Sequence, residues 1–329
     1  MNVWQAVSRA LSVGKSCALV TISQVRGSAP REVGARMVVH ADGHFTGTIG
    51  GGQLEYDVIH QAQTLMAKEA IGLHATSFSL GPDLGQCCGG WVEVYIEIVP
   101  RVLIGLANEL EALEQRGPFS TQAQIREGEP VLREVTQWAP PRVLNLEKGV
   151  LKEQFGQAFS QLFLFGAGHV GRSMMLALAP LPFNVQWVDN RRDLFPAHVP
   201  SNVSCIHLND PVNAIASVPA DGYVVVMTHD HALDQRLADA ALRRNDLAYV
   251  GMIGSKTKRA RALSRLRSAG LADEQLERLV CPIGIPGISS KQPAQIAASV
   301  VAQLLQVADQ KQSKERSNFA LAKSGTPDQ

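Results

Sequence analysis

Short strand-like runs recur through the second half of the chain, at residues 162–165, 185–188, 203–207, 223–227 and 248–252, and those at 162–165, 223–227 and 248–252 are apolar without a break. Runs of this length without a polar alternate predict strands buried on both faces, as in a parallel sheet. Between and after them lie helical patterns at 170–179, 233–243, 256–269 and 293–305. Strand and helix in alternation predict a doubly wound, Rossmann-like α/β domain.

The first half reads differently. A helical pattern at 3–13 leads into an apolar strand at 17–22. Strand-like stretches at 35–39 and 45–49 flank Ala41-Asp42-Gly43, whose Asp-Gly step favours a tight hairpin. A helix is predicted at 54–70 and an alternating strand at 91–99. The expected fold class is therefore α/β: a C-terminal doubly wound Rossmann-like parallel sheet with a smaller N-terminal α+β domain. The expected divisions are 1–113 for the N-terminal domain, 114–156 for a connecting segment, 157–309 for the Rossmann-like domain and 310–329 for a disordered tail. Pro118, Pro130, Pro140 and Pro141 weaken the pattern in the connecting segment, which is read as keeping some strand structure. The tail is polar and lacks periodicity.

Composition narrows the function classes. The chain has 329 residues, 45% hydrophobic and 19% charged, as in an ordinary globular protein of two domains. A formal net charge of +1 argues against general nucleic-acid binding. No apolar run reaches the roughly 18 residues of a membrane span, and no secretory signal opens the chain, so a cytoplasmic location is expected. Five cysteines, two of them adjacent, read as reduced thiols and not as a disulfide framework.

Six segments carry candidate chemistry. Gly166-Ala167-Gly168-His169-Val170-Gly171 lies between a predicted strand and helix, where backbone N–H groups can meet a phosphate. Asp189 ends the next strand, at the spacing where an acid meets a ribose hydroxyl. Gly50-Gly51-Gly52 before a helix offers either a nest of N–H groups to an anion or a plain turn. Cys87-Cys88 on a Gly-flanked loop is a poor zinc pair, and reads as a soft-metal or sulfur contact or as buried structural thiols. His229 and Asp230 follow the fourth strand of the Rossmann-like domain, as ligand contacts or as a cap on the next helix. Gly254-Ser255-Lys256 repeats the strand-turn-helix logic with a predicted N-cap and positive charge, and Cys281 opens a loop rich in Pro and Gly.

In this order, seven segments resemble the xanthine dehydrogenase accessory proteins of the XdhC/CoxI family. They are Gly27-Ser28-Ala29-Pro30-Arg31 and residues 48–55, 86–90, 164–172, 228–231, 249–256 and 281–291. The resemblance implies a chaperone that binds the molybdenum cofactor in its molybdopterin form. It implies protection of that cofactor during sulfuration and insertion into xanthine dehydrogenase, without catalysis by the chaperone. The implied partners are the enzyme's molybdenum subunit, a cysteine desulfurase and the cofactor nucleotidyltransferase, with a homodimer expected and neither nucleic acid nor membrane. On this reading the phosphate lies at 166–171 or at 254–256, the pterin in an interdomain cleft, and Cys87 or Cys88 at the metal end.

Two other readings stand beside it. One is an NAD(P)-dependent oxidoreductase using the Gly-rich turn and Asp189, with Asn190-Arg191-Arg192 available to a 2′-phosphate. The other is a scaffold without a ligand. The oxidoreductase reading leaves Cys87-Cys88 and the N-terminal domain without a task.

Overall fold

The computed structural model describes residues 2–80, 89–137 and 143–324. Cys87, Cys88, Pro140 and Pro141 lie outside the described residues. The chain divides into two compact units, Met1–Ala158 and Phe159–Gln329.

In the second unit, strands β10 (Ser160–Phe165), β11 (Phe183–Asp189), β12 (Val203–His207), β13 (Tyr223–Val226), β14 (Tyr249–Met252) and β15 (Leu279–Val280) form one parallel sheet. Their spatial order is β12-β11-β10-β13-β14-β15, the 3-2-1-4-5-6 order of a dinucleotide-binding fold. The order reverses between β10 and β13, and the ends of those two strands are where such sheets hold ligands.

Helices cover both faces. Phe163, Phe165, Val224, Val226 and Met252 pack against α5 (His231–Leu242), α6 (Lys256–Ser268) and α7 (Asp273–Glu277). Leu162, Leu164, Val185, Trp187 and Val225 face α4 (His169–Leu178) and α8 (Pro293–Ser324). Burial on both faces explains the unbroken apolar runs. Between β12 and β13 only a 3-10 turn, Pro211–Ser217, takes the place of a helix. An open groove of about 750 Å³ lies there, lined by Phe163, Gln186, Ile206 and Asn213, and no residue of the Gly-rich turn borders it.

The first unit holds two antiparallel sheets. One has the order β3-β2-β1-β5-β4, built from β1 (Ser16–Arg26), β2 (Arg36–His40), β3 (Phe45–Gly47), β4 (Gly72–Leu80) and β5 (Gly90–Pro100). Helix α2 (Gly52–Ala67) packs on one face through Leu54, Val58 and Ala62. Helices α1 (Val3–Val13) and α3 (Ile104–Arg116) pack on the other through Val7, Leu11 and Leu110.

Residues 114–156 are more than a connection. Strands β6 (Phe119–Gln124), β7 (Glu134–Thr136), β8 (Leu144–Glu147) and β9 (Val150–Phe155) form a second sheet, ordered β7-β6-β9-β8, inside the first unit. A buried ionic cluster ties the two sheets together. Arg133 donates to Glu97 on β5 and, at 2.6 and 3.0 Å, to Glu153 on β9, while Arg36 on β2 donates to Glu153 at 3.3 Å. The Arg36 guanidinium also lies 4.1 Å from the centre of the Phe155 ring. Two buried cations against two buried anions leave no net charge to desolvate, the condition under which such a cluster is tolerated.

At the other end of the chain, α8 continues to Ser324. Its last turns run through the stretch where polarity predicts a disordered tail. That stretch is rich in Ala, Lys, Gln and Glu, all good helix formers, so propensity there favours a helix even without an apolar face.

Candidate functional site

The three glycines of the 166–171 turn have three different surroundings. Gly166 has φ +117°, and a Cβ there would lie 2.3 Å from the Met227 carbonyl oxygen at the end of β13. Gly171 sits where a Cβ would lie 2.2 Å from the Gly166 carbonyl oxygen, so its lack of a side chain lets α4 close on the turn. The Trp187 indole donates to that same Gly166 oxygen at 3.0 Å, fixing the turn from the core. Gly168 differs from both. Its φ is −76°, open to any residue, and a Cβ would meet nothing within 4 Å. Gly166 and Gly171 are required by the fold, whereas Gly168 leaves a backbone surface bare.

Gly168 is also the N-cap of α4 and supplies no side-chain hydrogen bond. The neighbouring helices are capped. Asp230 Oδ1 accepts from the Ala232 N–H at 2.8 Å at the start of α5, and Ser255 Oγ accepts from the Lys258 N–H at 3.1 Å at the start of α6. Asp230 is therefore a cap, one of its two expected roles. Orphan N–H groups at a helix start carry partial positive charge and favour an anion. Of these three starts, only α4 lacks a side chain of its own to take one.

The ends of β13 and β14 are braced to each other. The buried Asp234 carboxylate accepts from the Thr228 N–H at 3.0 Å, the Thr228 hydroxyl at 2.7 Å and the Lys258 ammonium at 2.7 Å. Gly254 makes room for this brace, because a Cβ there would come within 2.9 Å of Lys258 Cδ and 3.0 Å of Cys281 Sγ. Cys281 is buried, and desolvation pushes its thiol above the ordinary value despite the nearby Lys258 and Arg259. A protonated, enclosed thiol is a weak nucleophile and a weak ligand for soft metals. His169, His229 and Lys256 are exposed.

Asp189 is not free either. Its carboxylate accepts from the Ala167 N–H at 2.6 Å, the Arg191 N–H at 2.8 Å, and Arg191 Nε and Nη2 at 2.9 Å each. Burial opposes its ionisation, yet the Arg191 guanidinium and the two N–H groups hold its carboxyl below the usual aspartate value.

The second unit thus gathers Gly166, Gly168, His169, Gly171, Asp189, His229, Asp230, Gly254, Ser255, Lys256 and Cys281 just beyond or at the carboxyl ends of its strands.

In the first unit the Gly triplet does form a nest, but the chain fills it. Glu55 Oε1 accepts from the N–H groups of Ile49 at 2.9 Å, Gly50 at 3.2 Å and Gly51 at 2.9 Å, and from the Thr48 hydroxyl. Burial works against the Glu55 charge, but those donors keep its carboxyl below the ordinary glutamate value. The anion expected at Gly50, Gly51 and Gly52 is therefore the chain's own. A Cβ on Gly50 would lie 2.4 Å from Pro30 Cγ, and one on Gly90 would lie 2.0 Å from the Ser28 carbonyl oxygen. Three of the sequence segments, around 27–31, 48–55 and 89–90, thereby pack on one another. Among the described residues no group of three or more His, Cys, Asp or Glu is arranged to hold a metal ion.

What spacing does not give is the pairing of these residues: Glu55 with the Gly triplet, Asp234 with Lys258, and Arg191 with Asp189 in place of a 2′-phosphate. An acid four residues after Gly51, in the first turn of α2, was the available signal for Glu55. Nothing in the spacing of Asp234 and Lys258 announces their pairing, which depends on the adjacency of β13 and β14.

Known proteins resemble this chain over both units. The family model for the XdhC Rossmann domain matches residues 162–304, and that for the XdhC and CoxI family matches residues 10–75. The uncharacterized protein YqeB of Escherichia coli K12 is 27% identical over 312 residues, covering 93% of this chain but 46% of YqeB, so this chain spans about half that relative's length. The molybdenum cofactor insertion chaperone PaoD of the same organism is 27% identical over 281 residues, 84% of this chain and 79% of PaoD. A Bacillus halodurans crystal structure, described as a xanthine dehydrogenase, shares the fold with a TM-score of 0.75 and 23% identity, covering 94% of this chain and 96% of its own.

Proposed function

This chain belongs to the XdhC and CoxI family, and on that premise we propose that it is a molybdenum cofactor insertion chaperone for a xanthine dehydrogenase-type enzyme. Similarity to a relative named as such a chaperone supports the class. The observation that carries the reading is Gly168, whose bare backbone stands at an uncapped helix start and has no packing reason to be glycine. The pterin phosphate is assigned to the N–H groups of that turn. The alternative seat at 254–256 is disfavoured because Ser255 already caps α6 and Gly254 serves the packing of Lys258 and Cys281.

In this role the protein catalyses no bond change. The turn holds the phosphate by N–H groups and helix dipole, interactions that form and release without covalent chemistry. Protection during sulfuration, with a cysteine desulfurase as sulfur source and the cofactor nucleotidyltransferase as a competing partner, is the finer form of the proposal. Cys87 and Cys88 enter it from sequence alone, and their joint replacement by alanine is expected to lower sulfido-dependent activation of the target enzyme.

Reconstitution tests the class. Cofactor-loaded protein is expected to activate the apo-enzyme faster and to a higher final level than the same amount of free cofactor. Equal activation by free cofactor would remove the chaperone reading.

The oxidoreductase reading gains nothing from the site. The acid that would meet a ribose is saturated by internal donors, and the Gly-rich turn by itself specifies a phosphate and not a redox reaction.

A further inference from the structure

Asp189 stands at the end of β11, next to the first strand of the sheet, where dinucleotide-binding folds place the acid that takes a ribose hydroxyl. A carboxylate has about four acceptor positions. Here four donors meet it, one from the Gly-rich turn and three from Arg191. The side chain of Asp189 is 3% exposed and that of Arg191 35%, so the guanidinium lies over the carboxylate on its solvent side. Arg191 spends both prongs of its fork on this contact, one on each carboxylate oxygen. Two prongs are also what two vicinal ribose hydroxyls would have to replace.

We infer that Arg191 is a specificity-determining residue: by capping Asp189 it removes the ribose acceptor from the turn, which then selects a phosphate borne by something other than a nucleoside. This deepens the proposed function and rests on its assignment of 166–171 as the phosphate seat. The N–H of Ala167, drawn onto Asp189, is withdrawn from the ligand as well. What remains for an anion is the α4 start beyond Gly168, a seat for a terminal phosphate and not for an adenosine beside β11.

The test compares two probes, ADP-ribose and inorganic pyrophosphate, which share the phosphates and differ in the ribose. Wild-type protein is expected to bind ADP-ribose no more tightly than pyrophosphate. In R191A, freeing two acceptor positions is expected to shift the ratio of the two dissociation constants toward ADP-ribose by about tenfold or more. R192A, which removes the same charge one residue later, is expected to leave the ratio unchanged. R191K keeps the charge without the fork, is expected to shift the ratio less than R191A, and covers the case in which R191A does not fold. A wild-type preference for ADP-ribose of tenfold or more, or a folded R191A or R191K with the wild-type ratio, would overturn the inference. Molybdopterin retention by the wild type, measured separately, reports on the phosphate seat. Retention with no ratio change sinks only the specificity role, and a ratio change without retention sinks only the cargo.

Discussion

At the scale of single residues, glycines that look alike in sequence do different work. Gly166 combines a left-handed backbone with a Cβ position occupied by the Met227 carbonyl. G166A is therefore expected to destabilise the protein by at least about 2 kcal/mol, read as a lowered midpoint in chemical denaturation. Gly168 lies in open space with an ordinary φ, so G168A is expected to unfold within about 0.5 kcal/mol of wild type. Glu55 gives a pH-dependent prediction. Its carboxyl is held below the ordinary glutamate value by Thr48 and three backbone N–H groups acting against burial. A depressed folded pKa contributes stability that is complete above the unfolded value near 4.3 and is lost as pH falls through the folded value. E55Q is thus expected to cost about 1–3 kcal/mol at pH 7. The gap to wild type should narrow at pH 4 and below, and thermal melts that differ equally at both pH values would contradict the account. The sequence showed the Gly triplet and hid its occupant, because a nest does not reveal whether its anion comes from outside or from four residues along.

At the scale of elements, what was legible depended on how strands are buried. The central strands β10, β13 and β14 are apolar on both faces, and unbroken runs such as Leu162-Phe163-Leu164-Phe165 identify them without context, whereas the edge strand β12 is exposed and carries Ser204 and His207. Strand β9 is half-buried through Leu151, Glu153 and Phe155, with a charged residue in the inward register. That glutamate breaks the apolar alternation, and only the arginines from other elements explain it. Together with Pro118, Pro130, Pro140 and Pro141, the glutamate makes the second sheet of the first unit look in sequence like a connecting segment with some strand structure. The same cluster yields a prediction: R133M would leave Glu97 and Glu153 buried without their shared partner, at a cost of about 3–5 kcal/mol. A denaturation midpoint unchanged in R133M would mean that the cluster does not hold the two sheets together. Helix capping tells a similar story. Asp230 and Ser255 were legible as caps, but the lack of one at α4 acquires meaning only once the Gly-rich turn is seen to leave that start bare.

At the scale of the whole molecule, the order of motifs along the chain carried more than any motif alone. The Gly-rich turn by itself suits a dinucleotide as well as a pterin phosphate. The capping of Asp189 by Arg191 is the feature inferred to separate the two, and no spacing rule displays it. Each unit has its own core and its own glycine-rich turn; in the first the anion is internal, and in the second the α4 start has no side-chain cap. On the proposed function the pterin phosphate is expected on the second unit. Anaerobic titration of molybdopterin into wild-type protein and G168A tests this most directly. Saturable binding by the wild type, weakened tenfold or more in a G168A protein of unchanged stability, is the expected result. No binding by the wild type, or equal binding by the two, would contradict it.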